Sequence, residues 1–137
     1  MTEIRFALAT RYPDYDTKGH VNNAVFLTYF EMAREHAWKA IGGDVDFPFV
    51  VAEARIAYRA EAMIGDPLEI AIWTAEVRNK AWIWRYRITN PVSGALVAEG
   101  ETVQVMFDYE ARKSIPVPDD LRSQLQSLGE PGPAEPA

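Results

Sequence analysis

Residues 23–41 read NAVFLTYFEMAREHAWKAI and contain neither glycine nor proline. Apolar side chains recur along this stretch at the three- and four-residue spacing of an α-helix: Phe26, Leu27, Phe30, Ala33, Ala37, Trp38 and Ile41. The stretch predicts one long helix, with Asn22 or Asn23 as its N-cap and Gly42–Gly43 as its end. Its charged positions are few: Glu31, Arg34, Glu35 and Lys39. Much of the helix circumference is therefore expected to be buried.

Segments with the composition and alternation of β-strands flank this helix on both sides. The predicted strands are residues 3–10, 47–58, 68–78, 82–89 and 96–109. The last of them is about fourteen residues long, which favours a strongly twisted or bulged strand. A short second helix is expected over 119–128. One long helix against one antiparallel sheet gives an α+β fold of two layers.

The composition is that of a single globular domain. The 137 residues carry 14 Lys plus Arg against 20 Asp plus Glu, a net charge of −6, and 48% of them are apolar. A chain of this length fits one domain, here residues 1–128, followed by a flexible tail over 129–137 that is rich in proline and glycine. The acidic balance argues against general nucleic-acid binding. The sequence shows neither a secretory signal nor a membrane-spanning stretch, so the cytoplasm is the expected compartment.

The chain has no cysteine and only two histidines, His20 and His36. Without cysteine there are no disulfides, no cysteine nucleophile and no thiolate metal site. Two histidines are too few for a His-rich metal centre.

The loop before the long helix holds the residues best suited to chemistry. Asp14, Asp16 and His20 precede the helix, and Asn22 and Asn23 lie at its expected N-terminus. The first turn of a helix has unpaired N–H groups and a partial positive charge, which together polarise a carbonyl placed there. A carboxylate such as Asp16 beside that carbonyl can act as a nucleophile or as a general base on water. The same pattern also fits an ordinary turn and cap without any catalytic role.

A longer motif in this region resembles one family of enzymes. It comprises Asp14, Asp16, His20-Val21-Asn22-Asn23, Tyr29-Phe30-Glu31 and Ala33-Arg34. The motif resembles the hotdog-fold acyl-CoA thioesterases of the 4-hydroxybenzoyl-CoA thioesterase-like group, and its His-Val-Asn-Asn part is similar to the plant acyl-ACP thioesterases. Gly65-Asp66-Pro67 is similar to a turn that these families carry between strands. The resemblance extends over residues 1 to about 115.

The resemblance implies a hotdog fold, in which a curved five-stranded antiparallel sheet wraps a long central helix, and an acyl-CoA thioesterase activity. It implies that Asp16 is the catalytic carboxylate and that the backbone N–H of Asn23 is the oxyanion donor, with His20 and Asn22 shaping the site. It also implies an active site at a dimer interface, in a homodimer or homotetramer that acts on acyl-CoA or acyl-ACP. No metal and no organic cofactor is implied, because the thioester is itself reactive.

Two positions depart from the motif or complicate it. The plant enzymes have Asn two residues before the His, where this chain has Lys18, so the role of that Asn is absent or moved. Another hotdog branch keeps its catalytic carboxylate on the helix, about two turns beyond the oxyanion donor. Glu31 has this spacing from Asn23 and lies on roughly the same helix face, which makes it a second candidate. A surface or ion-pairing glutamate would show the same spacing.

Basic side chains must bind the phosphates of a coenzyme A substrate, because the net charge of the chain is negative. Arg55 and Arg59 share one face of a predicted strand, and Arg85 and Arg87 share a face of another. Arginine suits this role because its planar guanidinium forms paired hydrogen bonds with phosphate. The same four residues would also fit an ordinary solvated face of the sheet.

Two other functions are compatible with the same fold. An enoyl-thioester hydratase or dehydratase would pair an acid with a histidine, and Asp16 and His20 are both present. A non-catalytic acyl-thioester binding protein would need the fold but not the carboxylate. The spacing of the motif and its Val21-Asn22-Asn23 continuation favour the thioesterase.

Overall fold

The computed structural model describes residues 2–43 and 47–132, in which one long helix packs on one antiparallel sheet. In chain order the elements are β1 (Ile4–Leu8), α1 (Val25–Ala40), β2 (Phe49–Tyr58), β3 (Leu68–Val77), β4 (Ala81–Thr89), β5 (Leu96–Asp108), β6 (Lys113–Ser114) and α2 (Asp119–Gln126). A 3-10 helix, Tyr12–Asp14, lies between β1 and α1. The predicted α+β architecture is confirmed, and the two-residue strand β6 is an addition to it.

The sheet has the strand order β1-β3-β4-β5-β2, and every neighbouring pair in it is antiparallel. The short strand β6 extends one end of β5. Among the described strands, β1 and β2 each have one partner and form the two edges. The strand β2 therefore has one long edge whose backbone N–H and C=O groups form no hydrogen bonds to another strand of this sheet.

The helix α1 covers one face of the sheet and forms the core with it. Its buried side chains are Phe26, Tyr29, Phe30, Ala33, Ala37 and Trp38. From β4 they meet Trp82, Trp84, Tyr86 and Ile88, which alternate onto the same face. The ring of Phe30 stacks on that of Tyr86, with centroids 4.1 Å apart and planes at 5°. Leu27, expected on the apolar face, is 42% exposed instead. Successive helical residues point in different directions, so when Phe26 is buried against the sheet its neighbour Leu27 is turned away from it.

Position 100 on β5 must be a residue without a side chain. A Cβ atom there would lie 2.9 Å from the ring of Phe30 and would overlap the main-chain oxygen of Arg55. Gly100 lies opposite Tyr86 on one neighbouring strand and Ile56 on the other. The helix can therefore approach the sheet closely at this point, which fixes the height of α1 above the strands.

The predicted N-cap of α1 is wrong. The helix begins at Val25 after Ala24, and no side chain caps its first turn. Instead, the N–H of Ala24 donates to Oδ1 of Asn22 at 3.0 Å. The side chain of Asn22 therefore closes a turn that lies before the helix. Gly42 has a φ of +80°, as expected of a residue that ends a helix.

The long strand β5 contains the irregularity expected from its length. Ile88 pairs with Ala98 and Thr89 pairs with Leu96, so Val97 is the extra residue of a bulge. Similar shifts occur in β2 and in β3. These bulges bend the sheet around α1.

The first residues of the predicted tail contact the sheet face that points away from α1. Arg87 donates to the main-chain oxygen of Pro131 at 2.8 Å, and Arg5 donates to that of Gly132 at 2.5 Å. The rest of the predicted tail, 133–137, lies outside the described residues. No described helix has the length and hydropathy needed to cross a membrane.

Candidate active site

The loop between β1 and α1 folds into a narrow ribbon that ends at the helix N-terminus. Tyr15 and Val21 form an antiparallel bridge, and the N–H of Asp16 donates to the main-chain oxygen of His20 at 2.7 Å. Gly19 turns the ribbon with a φ of +76°. The ribbon brings Asp16 opposite His20, so two of the predicted site residues are neighbours.

The carboxylate of Asp16 is exposed and is held by its own loop. Its Oδ1 accepts the main-chain N–H groups of Lys18 at 2.9 Å and of His20 at 3.1 Å. These two hydrogen bonds hold the pKa of Asp16 below its ordinary value. Asp16 is therefore ionised at neutral pH, and ionisation is what a nucleophile or a general base requires.

The backbone around Asn23 is fixed on both sides. The N–H of Asn22 donates to the main-chain oxygen of Asp14 at 2.8 Å, and the N–H of Ala24 donates to Asn22 Oδ1. The main-chain oxygen of Asn23 accepts the hydroxyl of Tyr58 at 2.8 Å. Among the described residues, the N–H of Asn23 itself has no acceptor. This donor is thus available to a ligand just ahead of the first turn of α1.

A cleft of about 270 Å³ lies beside the start of α1. Its walls include His20, Asn23, Phe26, Tyr58 and Arg59. The structure thus brings His20 and Asn23 to one cleft. Asp16 is not among the residues that line it, and is connected to it through its hydrogen bonds with the backbone of His20. The side chain of Asn22 faces the turn instead and holds the peptide of Ala24.

The ring of His20 also has a neighbour outside the loop. Its Nε2 lies 3.7 Å from Oε2 of Glu61, in the segment between β2 and β3. His20 and Met63 additionally form a backbone bridge. The residue is thus part of the packing of the loop against this segment, as well as a wall of the cleft.

Sequence reasoning missed one residue of this region, Tyr58, and the contacts of another, Asp14. Tyr58 fastens the end of β2 to Asn23, and Asp14 is buried below the loop, where it accepts the hydroxyl of Tyr29 at 2.8 Å. Asp14 and Tyr29 belong to the quoted motif, but their spacing of fifteen residues carries no signal that they touch. Tyr58 had no signal beyond its place at the end of a strand.

Glu31 lies elsewhere. It is exposed and borders a separate cleft of about 420 Å³, with Phe47 and Val51 near the start of β2. The structure does not bring it to the cleft that Asn23 lines. Its role as a second catalytic carboxylate stays a prediction.

The four candidate arginines line one groove of about 520 Å³ on the sheet face that points away from α1. Each has a carboxylate nearby. Arg55 bonds to Glu101, and Arg85 Nε lies 4.0 Å from that same side chain. Arg59 Nε lies 3.5 Å from Glu99 Oε2. Arg87 Nη1 lies 3.5 Å from Glu130 Oε1.

The groove and the cleft at the start of α1 share one residue. Arg59 lines both, so a ligand bound in the cleft could extend past this guanidinium into the groove. Phosphate binding by the arginines stays a prediction. In the described part of the chain, no three side chains among His, Cys, Asp and Glu are grouped as metal ligands.

Comparison with known proteins places this chain in a family. The sequence pattern of the thioesterase-like superfamily matches residues 11–125. The chain is 29% identical over 121 residues to the long-chain acyl-CoA thioesterase FadM of Escherichia coli, covering 82% of this chain and 89% of that protein. It is 28% identical over 136 residues to the 1,4-dihydroxy-2-naphthoyl-CoA hydrolase of Synechococcus elongatus, covering 92% and 97% of the two chains.

Similarity to a solved structure agrees with the sequence match. The crystal structure of a thioesterase from Thermus thermophilus, complexed with coenzyme A and Zn, superimposes with a TM-score of 0.81 at 29% identity, over 90% of this chain and 92% of that one. The resemblance and the hotdog fold predicted from the motif are confirmed. Since the matched region contains the loop, α1 and all the long strands after it, this chain belongs to the thioesterase-like superfamily.

Proposed function

We propose that Asp16 and the backbone N–H of Asn23 act together on the carbonyl of an acyl-CoA thioester. The observation that carries this proposal is the free N–H of Asn23, at the same loop that holds an ionised Asp16. The chain is an acyl-CoA thioester hydrolase, as its family and its relatives indicate. Each of the two residues has a separate role in the hydrolysis.

The thioester carbonyl would bind with its oxygen toward the N–H of Asn23. As a nucleophile adds to the carbonyl carbon, the π electrons move to the oxygen, and this N–H with the positive end of α1 stabilises the negative charge. Collapse of the tetrahedral intermediate breaks the C–S bond and expels the coenzyme A thiolate, which takes up a proton. One donor of this kind contributes about 10²–10³ in kcat.

Asp16 could act in either of two ways. As a general base it accepts a proton from the water that attacks the carbonyl carbon. As a nucleophile it adds to the carbonyl itself, and water then hydrolyses the mixed anhydride. Neither route needs a metal or an organic cofactor, and we propose that the enzyme uses none.

The rest of the substrate would extend from the cleft over Arg59 into the arginine groove. We propose that Arg55, Arg59, Arg85 and Arg87 bind the phosphates of coenzyme A there. The support is the contiguity of the two clefts at Arg59 and the affinity of guanidinium groups for phosphate. An acyl-ACP substrate would present its phosphopantetheine arm to the same cleft.

We also propose that the enzyme is a homodimer or homotetramer in the cytoplasm, where coenzyme A thioesters are formed and consumed. The support is the edge of β2, which has no partner among the described strands. A second copy could pair there, next to Tyr58. Light scattering at micromolar concentration tests this, and the mass of the 15.4 kDa monomer would contradict it.

The mechanism is tested by thiol release from a panel of acyl-CoA thioesters, with aliphatic and aromatic acyl groups. We expect hydrolysis by the natural protein and a loss of about 10²-fold or more in Asp16→Asn at an unchanged oligomeric mass. Asp66→Asn is the matched control, because Asp66 lies outside the cleft and bonds to Met63 N–H. Full activity of Asp16→Asn would remove Asp16 from the mechanism. No hydrolysis of any thioester would favour a hydratase or a binding protein.

A single turnover in ¹⁸O-labelled water identifies Asp16 as a nucleophile if the label enters its carboxylate, whereas label in the released acid fits both direct attack of water and hydrolysis at the acyl carbon of an anhydride. Direct attack of water always places the label in the released acid. Hydrolysis of an anhydride at the aspartyl carbon leaves the first acid unlabelled and places the label in the enzyme.

A further inference from the structure

Asp14 is the one carboxylate that is buried among the described residues, with 1% of its surface exposed. Its Oδ2 accepts the N–H of Arg11 at 2.9 Å and the hydroxyl of Tyr29 at 2.8 Å. Its Oδ1 accepts the guanidinium of Arg11, at 3.0 Å from Nη2. A buried carboxylate with this number of donors is fixed in one position.

The main chain of Asp14 reaches toward the proposed oxyanion donor. Its carbonyl oxygen accepts the N–H of Asn22 at 2.8 Å, directly before Asn23. The side chain of Asp14 is anchored to α1 through Tyr29, and its main chain is anchored to the turn that precedes α1. One residue therefore sets the position of this turn relative to the helix.

We infer that Asp14 is a positioning residue for catalysis, which through Tyr29 and Asn22 aims the N–H of Asn23 at the thioester oxygen. This inference rests on the proposed function of Asn23. Asp14 does not touch the substrate, because it is buried below the loop and borders neither the cleft at Asn23 nor the arginine groove. Its partner Tyr29 is likewise buried, at 1% exposure.

The two donors around Asp14, Arg11 and Tyr29, make its carboxylate hard to replace. Tyr29 and Arg11 both present donors to Asp14, so both need an acceptor. An asparagine in its place offers one oxygen and one NH₂ group, and the NH₂ group would face a donor. Asp14→Asn therefore shifts the loop, whereas Tyr29→Phe removes one hydrogen bond and leaves the rest of the packing in place.

The inference is tested with a ketone analogue of the substrate, in which CH₂ replaces the thioester sulfur. A hydrogen bond from the oxyanion donor lowers the stretching frequency of the bound carbonyl, and difference infrared spectroscopy measures this shift directly. Tyr109→Phe is the matched control, because it also loses one hydroxyl bond, to the main-chain oxygen of Phe49 at 3.1 Å, away from the loop.

We expect the natural protein and Tyr109→Phe to show the same lowered frequency. In Asp14→Asn and Tyr29→Phe the frequency should return toward that of the free ketone, with kcat lower by about tenfold and KM within about twofold, since small displacements of a catalytic group are costly. Lowered frequency and full kcat in Tyr29→Phe would overturn the inference, even if Asp14→Asn failed to fold. No shift in the natural protein would instead refute the oxyanion role of Asn23, and this inference with it.

Discussion

The hydroxyl of Tyr58 lies 2.8 Å from the main-chain oxygen of Asn23 and donates to it. This bond connects the last residue of β2 with the turn before α1, two parts of the chain that are 35 residues apart. The main-chain oxygen of Asn23 is thus held by Tyr58, while the N–H of the preceding residue, Asn22, is held by the main-chain oxygen of Asp14. The cleft at the start of α1 is thus bounded by the sheet as well as by the loop.

Tyr58→Phe should lower kcat by about two- to fivefold, because Asn23 then loses one of the contacts that fix its backbone. The cost in stability should be about 0.5–1 kcal/mol, since the hydroxyl is partly exposed and water can replace it. Steady-state kinetics and urea denaturation measure the two effects. An unchanged kcat would show that the Asp14 side alone fixes the turn.

The pH dependence of kcat/KM should report the ionisation of Asp16. The hydrogen bonds from Lys18 and His20 lower the pKa of Asp16, so activity should persist down to pH values below the ordinary aspartate pKa of 3.8, within the range in which the protein stays folded. A rate profile over pH 3.5–8 checks this expectation. An acid limb near pH 6.5, where imidazoles titrate, would contradict it and implicate a histidine.

Gly100→Ala should destabilise the protein by about 1–3 kcal/mol, because the new methyl group overlaps the backbone of Arg55 and presses on the ring of Phe30. Thermal unfolding measures the loss. Gly132→Ala is the matched control, since a Cβ there meets nothing within 4 Å and should leave the melting temperature unchanged. Equal melting temperatures for the two variants would mean that α1 can move away from the sheet at no cost.

Asp14 should make the unfolding free energy depend on pH. Burial raises the pKa of Asp14, but the hydrogen bonds from Arg11 and Tyr29 outweigh burial, and the net pKa lies below the ordinary 3.8. A carboxyl whose pKa is lowered in the folded state stabilises it above the unfolded pKa, and this stabilisation is lost as the pH falls through the folded value. Urea unfolding at pH 7 and pH 3 should therefore show a larger loss for the natural protein than for Asp14→Asn. Glu110→Gln is the control, because Glu110 is exposed, and it should lose as much unfolding free energy as the natural protein does. Equal losses in the natural protein and in Asp14→Asn would mean that other groups cause the acid sensitivity.

Arg59→Ala should raise KM for an acyl-CoA by about tenfold and leave kcat within about twofold, since one phosphate contact contributes on the order of 1–2 kcal/mol. The acyl-pantetheine thioester, which lacks the nucleotide, should show no such change. Arg122→Ala on α2 serves as the control, because Arg122 lies outside the groove. A similar rise in KM for both thioesters would mean that Arg59 shapes the cleft and does not bind phosphate.

The helix and the strands were predictable because burial imposes a period on the sequence. The predicted strand 82–89 matches β4, and the absence of Gly and Pro over 23–41 correctly predicts α1 to within two residues at its start. The N-cap was not predictable in the same way. Asn22 has the right chemistry for a cap, but it lies two residues before the N-cap position, Ala24, and its side-chain oxygen accepts the N–H of Ala24 and not an N–H of the first turn of α1.

The sequence was sufficient to predict several residues of the candidate site but not the contacts between distant ones. The motif identifies Asp16, His20 and Asn23, because these are close in sequence and their spacing is local. The contacts of Asp14 with Tyr29 and of Tyr58 with Asn23 join residues 15 and 35 positions apart, and only the folded chain brings them together. The alternation of Arg85 and Arg87 gives their shared face, but not the carboxylates of Glu101 and Glu130 beside them.

The contact between Phe30 and Gly100 limits how this core can be redesigned. A smaller residue at position 30 would create the space that a side chain at position 100 needs on the α1 side, but the backbone of Arg55 would still block it on the β2 side. Enlarging position 100 therefore requires a third change, a local widening of the sheet between β2 and β5. Libraries that vary the core at position 30 should therefore keep position 100 as glycine.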